Sequence, residues 1–417
     1  MKTQTKYKQI ETSKIPEGWE ELILSEAIEI NPKRNISKGS ISKFVSMGDV
    51  KEFNKKIQGF TKREYTGGTK FINGDTIMAR ITPCLENGKT AFVDMFDKDE
   101  VGAGSTEFIV LSEKKEKTIN QFVYYLSISP EIRKQAIKSM TGTSGRQRVE
   151  TDIFSNIIVN LPSFPEQCSI AKILSDLDEK IELNNKMNET LESIAQAIFK
   201  HWFVDFEFPN EQGNPYKSSG GKMVGSELGK IPGEWRVGKL GDYIEFVKGK
   251  KPKDTSEIFI EGYKPQILIE NLDGKSSLYA NPAGMINVVK NEPIMVMDGA
   301  SSGRIEIGCE GILGSTLAKI NPKTQDISNM CLYHFLKINE QDINQNTTGT
   351  SIPHVDKKKI QNYYFVIPNQ LILKLFDKIA NCIINRIIVN RQEIIKLSQI
   401  RDSLLPKLIS GKIRVET

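Results

Sequence analysis

Histidine and cysteine are scarce in this 417-residue chain, which carries three of the former and five of the latter. Cys84, Cys168, Cys309, Cys331 and Cys382 are scattered and odd in number, with no Cys-x-x-Cys pair. Neither a disulfide framework nor a zinc ribbon is therefore encoded, and the thiols read as those of a reducing cytoplasm. His201, His334 and His354 form no His-Glu-x-x-His arrangement, so histidine-based metal or general-base chemistry is not expected. Long hydrophobic runs are missing too. No window approaches about 18 consecutive apolar residues, and Met1 to Glu11 is polar and lysine-rich, so neither membrane insertion nor secretion is expected. What remains is globular: 38% hydrophobic and 26% charged residues, in a length that suggests two or three domains at roughly 150 residues each. A net charge of +5 is compatible with a polyanionic partner without requiring one.

The chain is written twice. Ile15-Pro16, Trp19, Leu24, Ile28 and Glu29 recur at identical spacing as Ile231-Pro232, Trp235, Leu240, Ile244 and Glu245. Gly104-Ser105-Thr106 returns as Gly314-Ser315-Thr316, and Thr141-Gly142-Thr143-Ser144 as Thr348-Gly349-Thr350-Ser351. Val149 and Pro162 match Val355 and Pro368. The order is kept while the offset shrinks from 216 to 206 residues, as expected of two homologous halves whose second copy carries loop deletions. A period this long excludes a solenoid.

Each half has a globular part and a helical part. Residues 1–162 and 231–368 alternate short β-prone runs, such as 107–111 and 293–297, with Gly, Asn and Asp turns, which predicts mixed α/β domains. After Pro162, Ser163 and Glu166 form a capping-box signature, and a helical period then runs unbroken to about Lys200. Such a helix is on the order of 50 Å long. Its apolar row repeats by sevens through Ile170, Leu177, Asn184, Leu191 and Ile198, beside Leu174, Ile181, Asn188 and Ala195. The same row recurs 206 residues later as Phe376, Ile383, Asn390, Leu397 and Leu404. The expected fold is α+β: two mixed α/β domains joined by two long helices (163–208 and 369–417) packed as an antiparallel coiled coil, with a polar, glycine-rich linker at 209–230. Asn184 and Asn390 sit mid-row, so antiparallel pairing would place them opposite each other as register-fixing residues. An Asn at the edge of the seam, facing water, is the other reading.

Three segments resemble the specificity (S) subunit of type I DNA restriction-modification systems: 199–206 (Phe-Lys-His-Trp-Phe-Val-Asp-Phe), 216–221 (Tyr-Lys-Ser-Ser-Gly-Gly), and 228–232 (Leu-Gly-Lys-Ile-Pro) with Trp235. Their order and the duplicated plan carry the resemblance over essentially the whole chain. It implies a non-catalytic subunit whose two globular domains are target-recognition domains, each reading one part of a bipartite site in double-stranded DNA. It also implies helices that act as a spacer and dock two methyltransferase subunits, with two endonuclease subunits joining the complex. Geometry agrees: two readers on a rod suit half-sites about one helical turn, roughly 34 to 36 Å, apart. Divergent loops on matching helices predict an asymmetric target.

No motif for independent catalysis is present, and no cofactor is expected. The resemblance to amino-group DNA methyltransferases would require Asn/Asp-Pro-Pro-aromatic, but Asn31-Pro32, Asn281-Pro282 and Asn321-Pro322 continue with Lys33, Ala283 and Lys323. Gly88-Lys89-Thr90 ends like a phosphate-binding loop, yet Pro83 stands where its first glycine belongs. The stretch 113–117 reads as a solvated turn. DNA-contact candidates are loop residues combining glycine, hydroxyl, guanidinium and amide groups. The strongest are Thr143, Ser144, Arg146, Gln147 and Arg148, with a tight turn as the competing reading. Their counterparts are Ser351, His354, Lys357 and Lys358, and Arg80, Lys89 and Arg304 are further candidates in turns. Phe199, Trp202 and Phe203, with Phe206, either anchor a helix end in the chain's own core or dock a methyltransferase subunit. A stand-alone DNA-binding scaffold or regulator is the alternative function.

Overall fold

The computed structural model describes residues 15–143, 145–272, 278–349 and 352–416. The chain forms two compact units: residues up to Glu182 together with those from Lys396 onward, and Leu183–Ile395.

In the first unit the strand Thr76–Ala79 is buried along its length, so it takes a central place. It lies between Phe108–Glu113 and Thr90–Phe92 in an antiparallel sheet completed by Ile28–Ile30. A second sheet orders Thr61–Glu64, Ile41–Val45, Gly102–Gly104 and Thr69–Phe71, with the middle two strands parallel. The second unit repeats both sheets. Ile244–Lys248, Leu317–Pro322, Ile294–Val296 and Ile305–Glu306 form one. Thr255–Ser256, Tyr279–Ala280, Lys264–Ile267, Gly311–Leu313 and Asn287–Val288 form the other, with Lys264–Ile267 and Gly311–Leu313 again parallel.

Strand register corrects one detail of the repeat. Val45 pairs with Gly104 while Ile267 pairs with Leu313. The amide of Ser105 then bonds the Val45 carbonyl at 3.2 Å, and that of Gly314 the Ile267 carbonyl at 2.9 Å. Gly314 is thus the counterpart of Ser105, one residue out of step with the identity match. Backbone pairing decides register, because a one-residue slip would turn every side chain to the opposite face.

The helices Phe164–Phe203 and Gln370–Ile409 complete both units in opposite directions. In the first unit, Ile170, Ala171 and Leu174 from the start of one join Leu405, Leu408 and Ile409 from the end of the other in the core with Phe122 and Leu111. In the second, Phe376, Ala380 and Ile384 join Phe199 and Phe203. The pair is therefore antiparallel, as the seam predicts.

The seam asparagines do not meet each other as expected. Asn184 and Asn390 are fully buried, but the Asn184 amide donates to Glu393 and the Asn390 amide to Asn188, each at 2.9 Å. Helix stagger is the reason: Asn390 stands level with Asn188, one turn beyond Asn184. The repeat places Ile394 at the position of Asn188, and because isoleucine cannot accept a hydrogen bond, its neighbour Glu393 does.

Glu166, offered by the sequence to a capping box with Ser163, is used elsewhere. Its carboxylate is buried and accepts from Trp19 Nε1 at 2.9 Å and from Arg414 Nε and Nη2 at 2.7 and 3.0 Å. Farther along, Asp178 accepts from the Tyr125 hydroxyl and from Arg401 Nη1 at 2.7 and 2.8 Å. Lys55 Nζ donates to Gln121 and to Ser175. Both helices are thereby tied to the α/β part of the first unit. Segment 209–230 contains a β-hairpin, Met223–Ser226 with the start of Gly229–Pro232, and Tyr216 stacks on Phe208.

Candidate nucleic-acid interface

In the first unit, Met140–Thr141 and Arg148–Val149 pair as a hairpin whose tip reverses at Gly142 (φ +123°) and Gly145 (φ +79°). Side chains are strained in that region of φ, which explains glycine at both places. Two backbone bonds hold the hairpin to the body: Val149 N–H to Arg80 O at 2.8 Å, and Thr82 N–H to Gln147 O at 3.0 Å. Thr143 and Arg146 at the tip are exposed, with Gln147 half-buried beside them. Among the described residues Arg146 has no side-chain partner. Ser144 lies outside the described residues.

Arg148 is also exposed, but its guanidinium is engaged bidentately by Glu107, with Nη2 at 2.7 Å from Oε1. The Arg148 bonds outweigh partial burial and hold the Glu107 carboxyl below its ordinary range. Arg148 can address a guanine only by leaving this fork. Arg80 and Lys89 are braces. Arg80 Nη2 donates to Val149 O at 3.1 Å, steadying the hairpin, and Lys89 Nζ donates to Met47 O at 2.9 Å. Their expected base or phosphate contacts compete with these bonds.

In the second unit Thr348 and His354 exchange backbone bonds of 2.8 and 2.7 Å around a loop that contains Gly349 at φ +94°. Thr350 and Ser351 lie outside the described residues. The loop is fixed by Val355 N–H to Met297 O and by Ser302 Oγ to Pro353 O, at 3.0 and 2.7 Å. Since Val149 bonds Arg80 and Val355 bonds Met297, the structural counterpart of Arg80 is Met297, not an arginine. Arg304 lies elsewhere, paired with Glu306 at 2.9 Å in a cleft of about 480 Å³ shared with Ser301, Lys337 and Thr347. His354 Nδ1 lies 2.7 Å from Asp298, which also receives Lys248 Nζ at 2.9 Å. Burial alone would raise the Asp298 carboxyl, but these two partners hold it below its ordinary value. Lys357 Nζ stands 5.6 Å from the Phe246 ring centroid, and Lys358 is exposed.

Lys248 opens a basic segment not among the sequence-derived candidates. Lys250, Lys251 and Lys253 follow it and are exposed, so four lysines stand within six residues, the first of them sharing Asp298 with His354. Their density was a readable signal. The segment is pinned at Gly249, where an added Cβ would stand 2.2 Å from the Gly314 carbonyl oxygen. Among the described residues no cluster of His, Cys, Asp and Glu could hold a metal, and no helix is long and apolar enough to cross a membrane.

A family model described as type I restriction modification DNA specificity domain matches residues 16–193 and again 232–396. The chain belongs to this family. Among curated relatives, the MjaIX specificity subunit of Methanocaldococcus jannaschii is 30% identical over 72% of this chain and 71% of its own length. The HindI specificity subunit of Haemophilus influenzae is 26% identical over 89% and 94%. The crystal structure of the type I restriction-modification S subunit from M. genitalium shares the fold, with a TM-score of 0.59 at 17% identity over 96% of this chain and 98% of that one. As a member of the specificity family, the chain is a DNA-recognition subunit and not the catalytic one.

The aromatic cluster is corrected as a docking surface. Phe199 and Phe203 are 2% and 5% exposed, closed against Phe376, Trp235 and His334 within the second unit. Two hundred and six residues later Leu405, Leu408 and Ile409 lie in the first unit's core, so Phe199 and Phe203, like Leu405 and Ile409, plug a helix end. Trp202 remains half-exposed, 6.1 Å from the Phe376 ring. Trp202→Ala is accordingly expected to cost about 2 kcal/mol of stability through lost packing. A thermal melt in which the variant matches the wild type would reject this.

Proposed function

We propose that the chain reads an asymmetric, two-part DNA site, one part through the 140–149 hairpin and the other through the 348–358 loop with Lys248–Lys253. The observation that carries this reading is one platform presented twice with different chemistry. Arginine and glutamine stand at the first tip, whereas histidine and lysine line the second, and groove edges distinguish such donors. Lysines supply mainly phosphate attraction, while Arg146 and Gln147 offer the bidentate geometry that discriminates bases.

In this reading adenine methyltransferase subunits, two per chain, assemble on the long helices with two endonuclease subunits. Asn184 and Asn390 fix the register of the helix pair through their buried amide bonds. The deciding experiment maps modified adenines in the genome of a host expressing the chain with its methyltransferase subunit. A split motif with an unspecified gap should appear only when the chain is present. R146A/Q147A should relax one part of the motif and leave the other intact, because a lost bidentate contact is worth about 1 to 3 kcal/mol of discrimination. A palindromic motif, or one unchanged in the variant, would refute the assignment.

A further inference from the structure

Phe53 combines three features that seldom occur together. Its backbone is left-handed, at φ +54°, a conformation unfavourable for a bulky residue. Its side chain is nevertheless 60% exposed, so burial offsets little of that strain. The ring is also held rather than loose. It packs on Gly88, where an added Cβ would meet it at 2.6 Å, and the Arg133 guanidinium lies 4.8 Å from its centroid. Arg133 is itself fixed by donating to the carbonyls of Leu85 and Glu86. The Phe53 amide bonds the Gly88 carbonyl at 3.1 Å, and the backbones of Glu52 and Lys89 pair in an antiparallel β-bridge.

These contacts place Phe53 against one end of the short loop 80–89. At the other end of that loop, Ile81 and Thr82 pair with Arg148 and Gln147 of the hairpin. An aromatic ring, strained, exposed and buttressed from behind, therefore accompanies the guanidinium and amide groups of the tip. A residue that weakens the free protein and buries little in it acquires a role on meeting a partner, and a rigid ring held by the same short loop as the candidate base-reading donors suits the unstacking of a base step.

We propose that Phe53 is an aromatic wedge that enters a base step within the part of the DNA site read by the first unit. The proposal rests on the assignment of the hairpin as a DNA-reading element. Apolar insertion opens a stack at a cost, and pyrimidine–purine steps open most readily. The wedge would thus confer a preference at a position where no hydrogen bond is made.

Phe53→Asn tests this, because asparagine tolerates left-handed backbone and removes the ring. The full chain with its methyltransferase subunit is titrated with a duplex carrying the motif found by adenine mapping, with 2-aminopurine placed at successive positions of the first half-site. The expected result is binding at least tenfold weaker for F53N, an unchanged melting temperature and an unchanged dependence on salt, since no phosphate contact is lost. The wild type should also raise 2-aminopurine emission at one step, and F53N should not. F53Y against F53Q, both with a long side chain at the same φ, repeats the comparison should F53N melt lower: the tyrosine variant should bind and the glutamine variant, which lacks an apolar ring, should not. Full affinity in F53N while R146A/Q147A binds weakly would overturn the wedge and leave the hairpin assignment standing. Full affinity in both would overturn both, and loss of subunit assembly with DNA affinity retained would make Phe53 a protein contact and overturn the wedge.

Discussion

Acidification from pH 6.5 to about 4 is expected to destabilise the second unit by on the order of 3 kcal/mol, and His334→Phe is expected to remove that dependence. His334 is 1% exposed among Phe199, Tyr333 and Phe376, and neither ring nitrogen has a hydrogen-bond partner among the described residues. Burial lowers its pKa from 6.5 to about 4. Between those values the unfolded chain binds a proton that the folded chain refuses, so stability falls as pH falls through the window. Above 6.5 neither state is protonated, and below about 4 both are. At neutral pH the two unpaired nitrogens still cost about 1 to 3 kcal/mol, so H334F should also be more stable there. Urea unfolding at pH 7 and pH 5, followed by the fluorescence of Trp202 and Trp235, measures both effects. Parallel pH profiles for wild type and H334F would contradict the first.

In the first unit the sensitive group is Glu166. E166A is expected to cost about 2 to 3 kcal/mol, chiefly because the buried Trp19 N–H loses its acceptor. E166Q, which keeps an acceptor, should cost less. The pH dependence has the opposite origin to that of His334. Burial pushes the Glu166 carboxyl up, but the bonds from Arg414 and Trp19 and the charge of Arg414 outweigh it and hold the carboxyl below its ordinary value of 4.5. The folded pKa is depressed, so its contribution is fully present above 4.5 and is lost as the pH falls through the folded value. Acid should accordingly weaken the second unit first and the first unit only below about pH 4.5. Hydrogen exchange resolved by segment tests the order, and simultaneous loss of protection in both units would refute it.

The repeat shows how differently one position can be built. Trp235, Ile372 and Phe208 occupy in the second unit the places of Trp19, Glu166 and Arg414. There Phe208 stacks on Trp235 at 4.6 Å with an interplanar angle of 17°, and Ile372 is buried without any polar bond to make. A charge-assisted latch in one unit is a dry aromatic stack in the other. Both occur where the end of one long helix closes on the start of the opposite half: in one the indole N–H has a carboxylate acceptor, in the other the ring is covered by aromatic stacking.

The duplication, the two long helices and their antiparallel seam were legible because they are periodic, and periodicity survives when contacts are unknown. The candidate DNA-contact segments were legible as turns, but not by what their side chains touch. The glycine-flanked tip around Arg146 announced itself, whereas Arg80 and Lys89 looked the same on paper and proved to be braces. Phe53 gave no signal, since a lone phenylalanine in a polar loop is ordinary until its φ and exposure are known. The aromatic run 199–206 could be read as plug or surface with equal justice, because residue type alone does not say which side of a helix is covered.

By itself, then, the sequence determined the number of halves, the alternation of sheet domain and helix, the family, and the absence of catalytic and metal-binding motifs, all of which depend on local spacing and residue type. Tertiary structure decided which asparagine meets which partner, where Glu166 points, whether Phe199 is inside, and which arginines are held by partners within the chain. Each of those depends on contacts between residues far apart in the chain, up to 248 positions for Glu166 and Arg414. Only the packing of sheets against helices fixes such distances, to within the single helical turn that separates Asn184 from Asn390.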